Sequence, residues 1–203
     1  METTYYGLTV PQMIAITVGL IAIIAVYVVI KDKINRKKAM SGGDRETVWN
    51  ILQRAVPDVD NYTRAYGCWE WTTYQGKKST TSYWFYGLAF HPERLYVVPL
   101  SCEGGDISYS NAFCIEKKDV AIVNSKKGTT WVELYDMHQK ELLSVSVLPE
   151  NLNDDKFHPV NIIQSDEAKA FEVWKDAWMD EINTAHHVEV TGKMKKPVKV
   201  KKV

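Results

Sequence analysis

Three cysteines, Cys68, Cys102 and Cys114, are the only thiols in the chain, and five histidines are its only side chains that ordinarily titrate near neutrality. A thiol nucleophile needs a base held beside it, and no recognisable signature surrounds any of the three. Their number is odd and their spacing wide, with no zinc pattern. In a reducing cytoplasm they read as small buried apolar residues. His91, His138 and His158 fall in expected turns or loops, where a solvated histidine is the ordinary case. His186-His187 with Glu189 supplies metal-ligand types, but adjacent residues on a helix point apart. Gly104-Gly105 is too short to cradle a phosphate, and no helix follows it. Asp154-Asp155 with His158 lacks the alternating oxygen-ligand spacing of a calcium loop. An enzyme would also need a polar cleft with perturbed pKa values, which the expected strands do not supply. These residues point to no catalytic centre, no metal and no cofactor, and so to a binding protein rather than an enzyme.

The chemistry of recognition is better represented. Tyr83-Trp84-Phe85-Tyr86 and Leu95-Tyr96-Val97-Val98 are apolar on both faces of a strand, although only one face of a small barrel points inward. The other face must be covered by the chain's own amphipathic helices or by a partner. Trp84, Tyr86 and Tyr96 are the candidate partner-binding residues. The opposite strand register would exchange them for Tyr83, Phe85 and Val97.

The element that positions all of this is Met13 to Ile30, an uncharged apolar run followed at once by a basic one. Eighteen residues at 1.5 Å each make about 27 Å, close to the hydrocarbon thickness of a bilayer. No polar face suits it to a soluble core, and no basic start or small-residue cleavage site suits it to a signal peptide. It reads as one uncleaved membrane span, flanked by Tyr5 and Tyr6 at the interface. Lys31, Lys33, Arg36, Lys37 and Lys38 on one side, against Glu2 on the other, place the N-terminus outside and the main domain in the cytoplasm. The same five residues are candidates for contact with anionic lipid.

Formal neutrality hides a segregation of charge. Five of 25 basic residues lie in 31–38 and six in 193–203, whereas all but Glu2 and Asp32 of the 25 acidic residues lie between, leaving that body about nine charges negative. An acidic body speaks against nucleic-acid binding by the folded domain.

The organisation expected is a short extracytoplasmic segment (1–12), the span (13–30), a basic juxtamembrane linker (31–43) hinged at Ser41-Gly42-Gly43, one domain (44–187) and a basic disordered tail (188–203). Asp44 is placed to cap a helix over 44–56 with Val48, Ile51, Leu52 and Ala55 on one face, ended by Pro57. Seven short β runs follow from Tyr66 to Val147, broken by turns at 76–78, 91–93, 103–106, 125–128 and 136–139. Pro99 implies a bulge or an edge in the third. After a loop over 149–164, Ser165 is placed to cap a helix whose Phe171, Trp174, Trp178, Ile182 and Ala185 recur at steps of three and four.

Seven antiparallel strands closed by one amphipathic C-terminal helix resemble the pleckstrin-homology fold. The stretch SYWFYGLAFHPERLYVVPL is similar to the paired strands of bacterial PH-like and GRAM-like domains, over about residues 66–186. The resemblance implies an α+β, mainly β domain: a seven-stranded barrel capped by a helix, bacterial in origin. It implies a module that binds or scaffolds a protein at the inner membrane face. The alternative is a sensor of anionic lipid working through the two basic segments. Lys77 and Lys78 occupy the first hairpin, but no arginine follows in Ser79-Thr80-Thr81-Ser82, a departure from the phosphoinositide-binding members.

Overall fold

The computed structural model describes residues 9–75, 78–103, 106–152, 159–190 and 192–193. The Thr9 N–H donates to Gln12 Oε1 at 2.9 Å and Pro11 occupies the first turn, so a helix, α1, starts at Val10. It runs 32 residues to Ser41. Its most apolar window has a mean hydropathy of 2.9 with no part buried, so α1 is long and apolar enough to cross a membrane once.

The helix does not stop where the apolar run does. The basic stretch read as a linker is helical, supported by an Arg36–Asp32 pair one turn apart at 3.0 Å. It ends at Gly42, whose φ of 75° lies in the left-handed region and whose N–H donates to the Ala39 carbonyl. The second helix, α2 (Gly43–Ala55), begins at the next residue. Gly42 therefore stands at its N-cap position, and Asp44 does not cap it. Asp44 Oδ2 instead accepts from the Asn161 backbone N–H at 2.7 Å, tying α2 to a distant loop.

Eight strands follow in one antiparallel sheet: β1 (Thr63–Gln75), β2 (Lys78–His91), β3 (Arg94–Glu103), β4 (Asp106–Tyr109), β5 (Phe113–Glu116), β6 (Ile122–Asn124), β7 (Trp131–Tyr135) and β8 (Glu141–Ser146). The sheet order is β4-β3-β2-β1-β8-β7-β6, with β5 also on β3. The fourth expected run is thus two strands, and the break has a cause. Pro99 has no N–H to give a neighbour, and β5 pairs with Arg94–Val97 while β4 pairs with Leu100–Glu103, on either side of it. The loop expected over 149–164 contains a small pair, β9 (Glu150–Asn151) and β10 (Ile162–Ile163). The last helix, α3 (Ser165–Ala185), has Gln164 rather than Ser165 at its N-cap position.

The sheet is not the closed barrel expected from strand count. Its β6 edge meets α3 instead of another strand, and α3 fills the gap. Asn183 accepts from the Val123 N–H and donates to the Val123 carbonyl, both at 2.9 Å, as a neighbouring strand would. Trp174 and Trp178 donate their indole N–H groups to the carbonyls of His91 and Pro92, in the β2–β3 turn. At the other end Gln164 accepts from the Tyr66 N–H and donates to the Tyr66 and Leu148 carbonyls, each at 2.8 Å. Side-chain amides at both ends and indoles in the middle complete what the strands leave open.

Two cores result, one on each face of β1–β3. Alternate residues of the strands pack with Phe171, Trp174, Trp178 and Ile182 of α3. There Gly67 is required, because a Cβ would sit 2.5 Å from Val145 and 2.9 Å from Leu88. The opposite face packs with Val48, Ile51 and Leu52 of α2 and with Ile162 of β10. Both faces of the aromatic strand are therefore covered by the chain itself over its inner half. The end of α1 joins this second layer: Asn35 and Ala39, four residues apart on one face, are buried, and Arg36 reaches Glu150 at 2.5 Å.

Candidate functional site

The first hairpin is longer than the sheet that holds it. β1 and β2 pair from Thr63–Phe90 out to Gln75–Lys78, whereas β3 joins β2 from Phe85 inward and β8 joins β1 at Cys68–Ser146. Residues 69–75 and 78–84 therefore run out as a two-stranded ribbon, cross-braced by the Thr72 and Thr81 hydroxyls at 2.9 Å. Where β1 and β8 stop pairing, a cleft of about 430 Å³ opens. Trp69 and Trp84 line it as a directly opposed pair, with Tyr86, Pro99 and Phe113 beside them and Glu141 and Leu142 across from them. Strand alternation explains the grouping, because Trp84 and Tyr86 share the face of Leu88 and Phe90, which continue inward as core. Trp84 and Phe113 are each 41 % exposed, although both sit in strands of a sheet with two cores.

The electrostatics of the cleft are those of an apolar wall with one carboxylate. Burial, helped by the Glu141 charge, pushes the Tyr86 phenol up to about 12, so it stays a protonated hydrogen-bond donor. Glu141 accepts from the Ser144 hydroxyl at 2.6 Å.

Of the residues singled out from sequence, Trp84 and Tyr86 come together in this cleft and Tyr96 does not. Tyr96 lies on the other face of the sheet, edge-on to Tyr62 at 5.5 Å, with Arg94 and Cys114 near its phenol. Of the alternative set, Phe85 stacks on Tyr66 over the α2 core, and Val97 is fully buried. Sequence reasoning missed Trp69, Phe113 and Glu141. The signal for Trp69 is hairpin register: Gln75 pairs with Lys78, and six steps further along both strands Trp69 stands against Trp84.

The five basic candidates all lie on α1. Arg36 is engaged by Asp32 and Glu150, which hold its guanidinium pKa above the ordinary value, while Lys33, Lys37 and Lys38 are exposed. The thiols are shifted away from reactivity, since burial pushes Cys68 and Cys102 each up to about 11. Among the described residues no three His, Cys, Asp or Glu side chains gather as metal ligands. Gly76, Lys77, Gly104, Gly105, Asp154, Asp155, His158 and the tail beyond 193 lie outside the described residues, so the turn and loop readings there have no structural counterpart.

Two other features are structural by their contacts. Glu133 is fully buried on β7, accepting from Asn124 Nδ2 at 2.7 Å and from the Tyr135 hydroxyl at 3.1 Å. Lys175, equally buried on α3, donates to the Lys126 carbonyl at 2.9 Å and to Asp176, fixing the β6–β7 loop to the helix. A second groove of about 560 Å³ runs along α3 beside Val173 and Pro92, rimmed by charges of both signs at Asp166, Lys169 and Glu181. No protein-family model matches this chain, and no curated protein matches it.

Proposed function

We propose that the chain is a single-pass membrane protein with its N-terminus outside and a PH-like cytoplasmic domain over 44–187. That domain holds a protein partner at the inner face of the membrane. It is a binding module and not an enzyme. One observation carries the reading: Trp84 and Phe113 stay exposed together in a built cleft, while the inner apolar side chains of the strands are covered by α2 and α3. The unbroken passage of α1 into buried contacts at Asn35 and Ala39 supports a span that is retained rather than cleaved. The test is affinity purification of the tagged full chain from native membranes, alongside a Trp84→Ser/Tyr86→Ser variant whose folding is checked by near-UV circular dichroism. A stoichiometric partner lost from the variant supports the proposal; recovery of the chain alone from both counts against it. Protease protection of an N-terminal tag in sealed vesicles tests the orientation.

The second reading, contact with anionic lipid, has its own observation. Lys33, Lys37 and Lys38 are exposed within two turns of the apolar stretch, where a negative headgroup layer lies. Sedimentation of a 31–203 fragment with phosphatidylglycerol vesicles, and its release by salt, would speak for it.

A further inference from the structure

We infer that the cleft between β1 and β8 seats a lysine or arginine side chain carried by an extended segment of the partner; this rests on the protein-holding reading above. Three observations converge on that occupant. The walls are aromatic: Trp69, Trp84, Tyr86 and Phe113 come from four positions on three strands to one opening, and Trp84 presents two-fifths of its surface to solvent. Aromatic faces carry negative potential and attract a cation that an aliphatic pocket would reject. The charge is of the right sign. Glu141 is the one acidic or basic residue lining the cleft among the described residues, and it lies close enough to Tyr86 to raise that phenol's pKa. The body around it carries about nine excess negative charges. The shape is that of a strand. The opening follows the line where β1 leaves β8, and seven residues of β1 continue past that point, a run of about 23 Å. An extended segment lies along such a line with alternate side chains turned into it.

The α3 groove carries no such argument, because its rim mixes acid and base at Asp166, Lys169 and Glu181 and its aromatic side chains, Phe90, Trp174 and Trp178, are buried in the core.

The probe is a blocked decapeptide of alternating lysine and valine, titrated calorimetrically into the full chain in maltoside micelles. Counterparts with norleucine or glutamate in place of lysine give the controls. The lysine peptide should bind at least tenfold tighter than either counterpart. Trp84→Ala should weaken it at least fivefold, Trp84→Phe less, and Glu141→Gln at least threefold. Norleucine binding as tightly as lysine would make the cleft an apolar groove and remove the cationic seat. An unchanged affinity in Glu141→Gln, or in both Trp84 variants, would overturn the site. A chain ending at residue 193 that binds the peptide much more tightly than the full chain would show the lysine-rich tail to be the resident occupant, overturning a partner's segment. Failure here is separable from failure of the parent reading: a partner that co-purifies and is lost with Trp84→Ser, while lysine and norleucine peptides bind alike, keeps the scaffold and rejects the cation.

Discussion

Gln164→Leu should be among the most damaging single changes in the chain outside the two cores' large side chains. Leucine nearly matches glutamine in volume and finds apolar neighbours, so packing is roughly kept. What goes is the amide, and with it three hydrogen bonds of 2.8 Å, two to Tyr66 and one to Leu148. Tyr66 is 1 % exposed, so water does not replace the partner at its N–H and carbonyl. Stranding a buried backbone group costs about 1–3 kcal/mol, and three such groups with partial relaxation give about 3–5 kcal/mol. Against a total domain stability of about 5–15 kcal/mol, that is a third or more. Urea unfolding of the full chain in maltoside micelles, followed by tryptophan emission, measures it. Gln164→Glu gives the sign check. Its carboxylate would face the Tyr66 and Leu148 carbonyls, so its folded-state pKa should be raised, and its penalty should grow with pH above the ordinary glutamate value of about 4.3. A Gln164→Leu loss below about 1 kcal/mol would refute the claim that this amide completes the β1 ladder.

Three further expectations follow the same logic. Asn183→Ala should expose the β6 edge, cost about 2–3 kcal/mol, and speed hydrogen exchange at the Val123 amide, read by NMR or mass spectrometry; unchanged exchange would show that Asn183 does not seal the edge. The Asp136 carboxylate is held below its ordinary pKa by the backbone N–H groups of Lys140 and His138 in the β7–β8 turn. Its contribution is present above the ordinary aspartate range and lost as pH falls through the folded value. The gap in melting temperature between the chain and Asp136→Asn should therefore narrow towards acid, and a pH-independent gap would contradict it. Maleimide at neutral pH should label exposed Cys114 first, half-buried Cys102 more slowly, and Cys68 after unfolding, as read by mass spectrometry of tryptic peptides; early labelling of Cys68 would place it outside the core.

What the sequence conveys best is periodicity within one element. Val48, Ile51 and Leu52, and Phe171, Trp174, Trp178 and Ile182, are buried on the faces their spacing assigns. What it conveys poorly is pairing between elements. Pro99 signals an irregularity, but that it splits the neighbour into β4 and β5 depends on which strands flank it. Strand count suggests closure, while Asn183 looks like an ordinary polar helix residue and Gln164 like the end of a loop until their backbone partners are known. The basic run after Ile30 reads as a linker because charge is associated with exposure, yet nothing in it breaks a helix before Gly42. The cleft was half legible. The aromatic content of β2 is plain, but the choice between Trp84 with Tyr86 and Tyr83 with Phe85 turns on hairpin register, and Tyr96 shared only composition with the residues that meet there.

The continuity of α1 fixes a phase. A helix advances about 100° and 1.5 Å per residue, so one residue inserted among 31–34 would swing everything beyond it a quarter-turn and more about the membrane normal. Four inserted residues would nearly restore the heading at about 6 Å greater height. If the domain holds a partner at the membrane as proposed, contact with it should recover with a helical beat along an insertion series, whereas a flexible tether would show a smooth decline. In that sense the chain resembles a signpost more than a leash, with the bearing of its cleft set by the count of residues between Ile30 and Asn35.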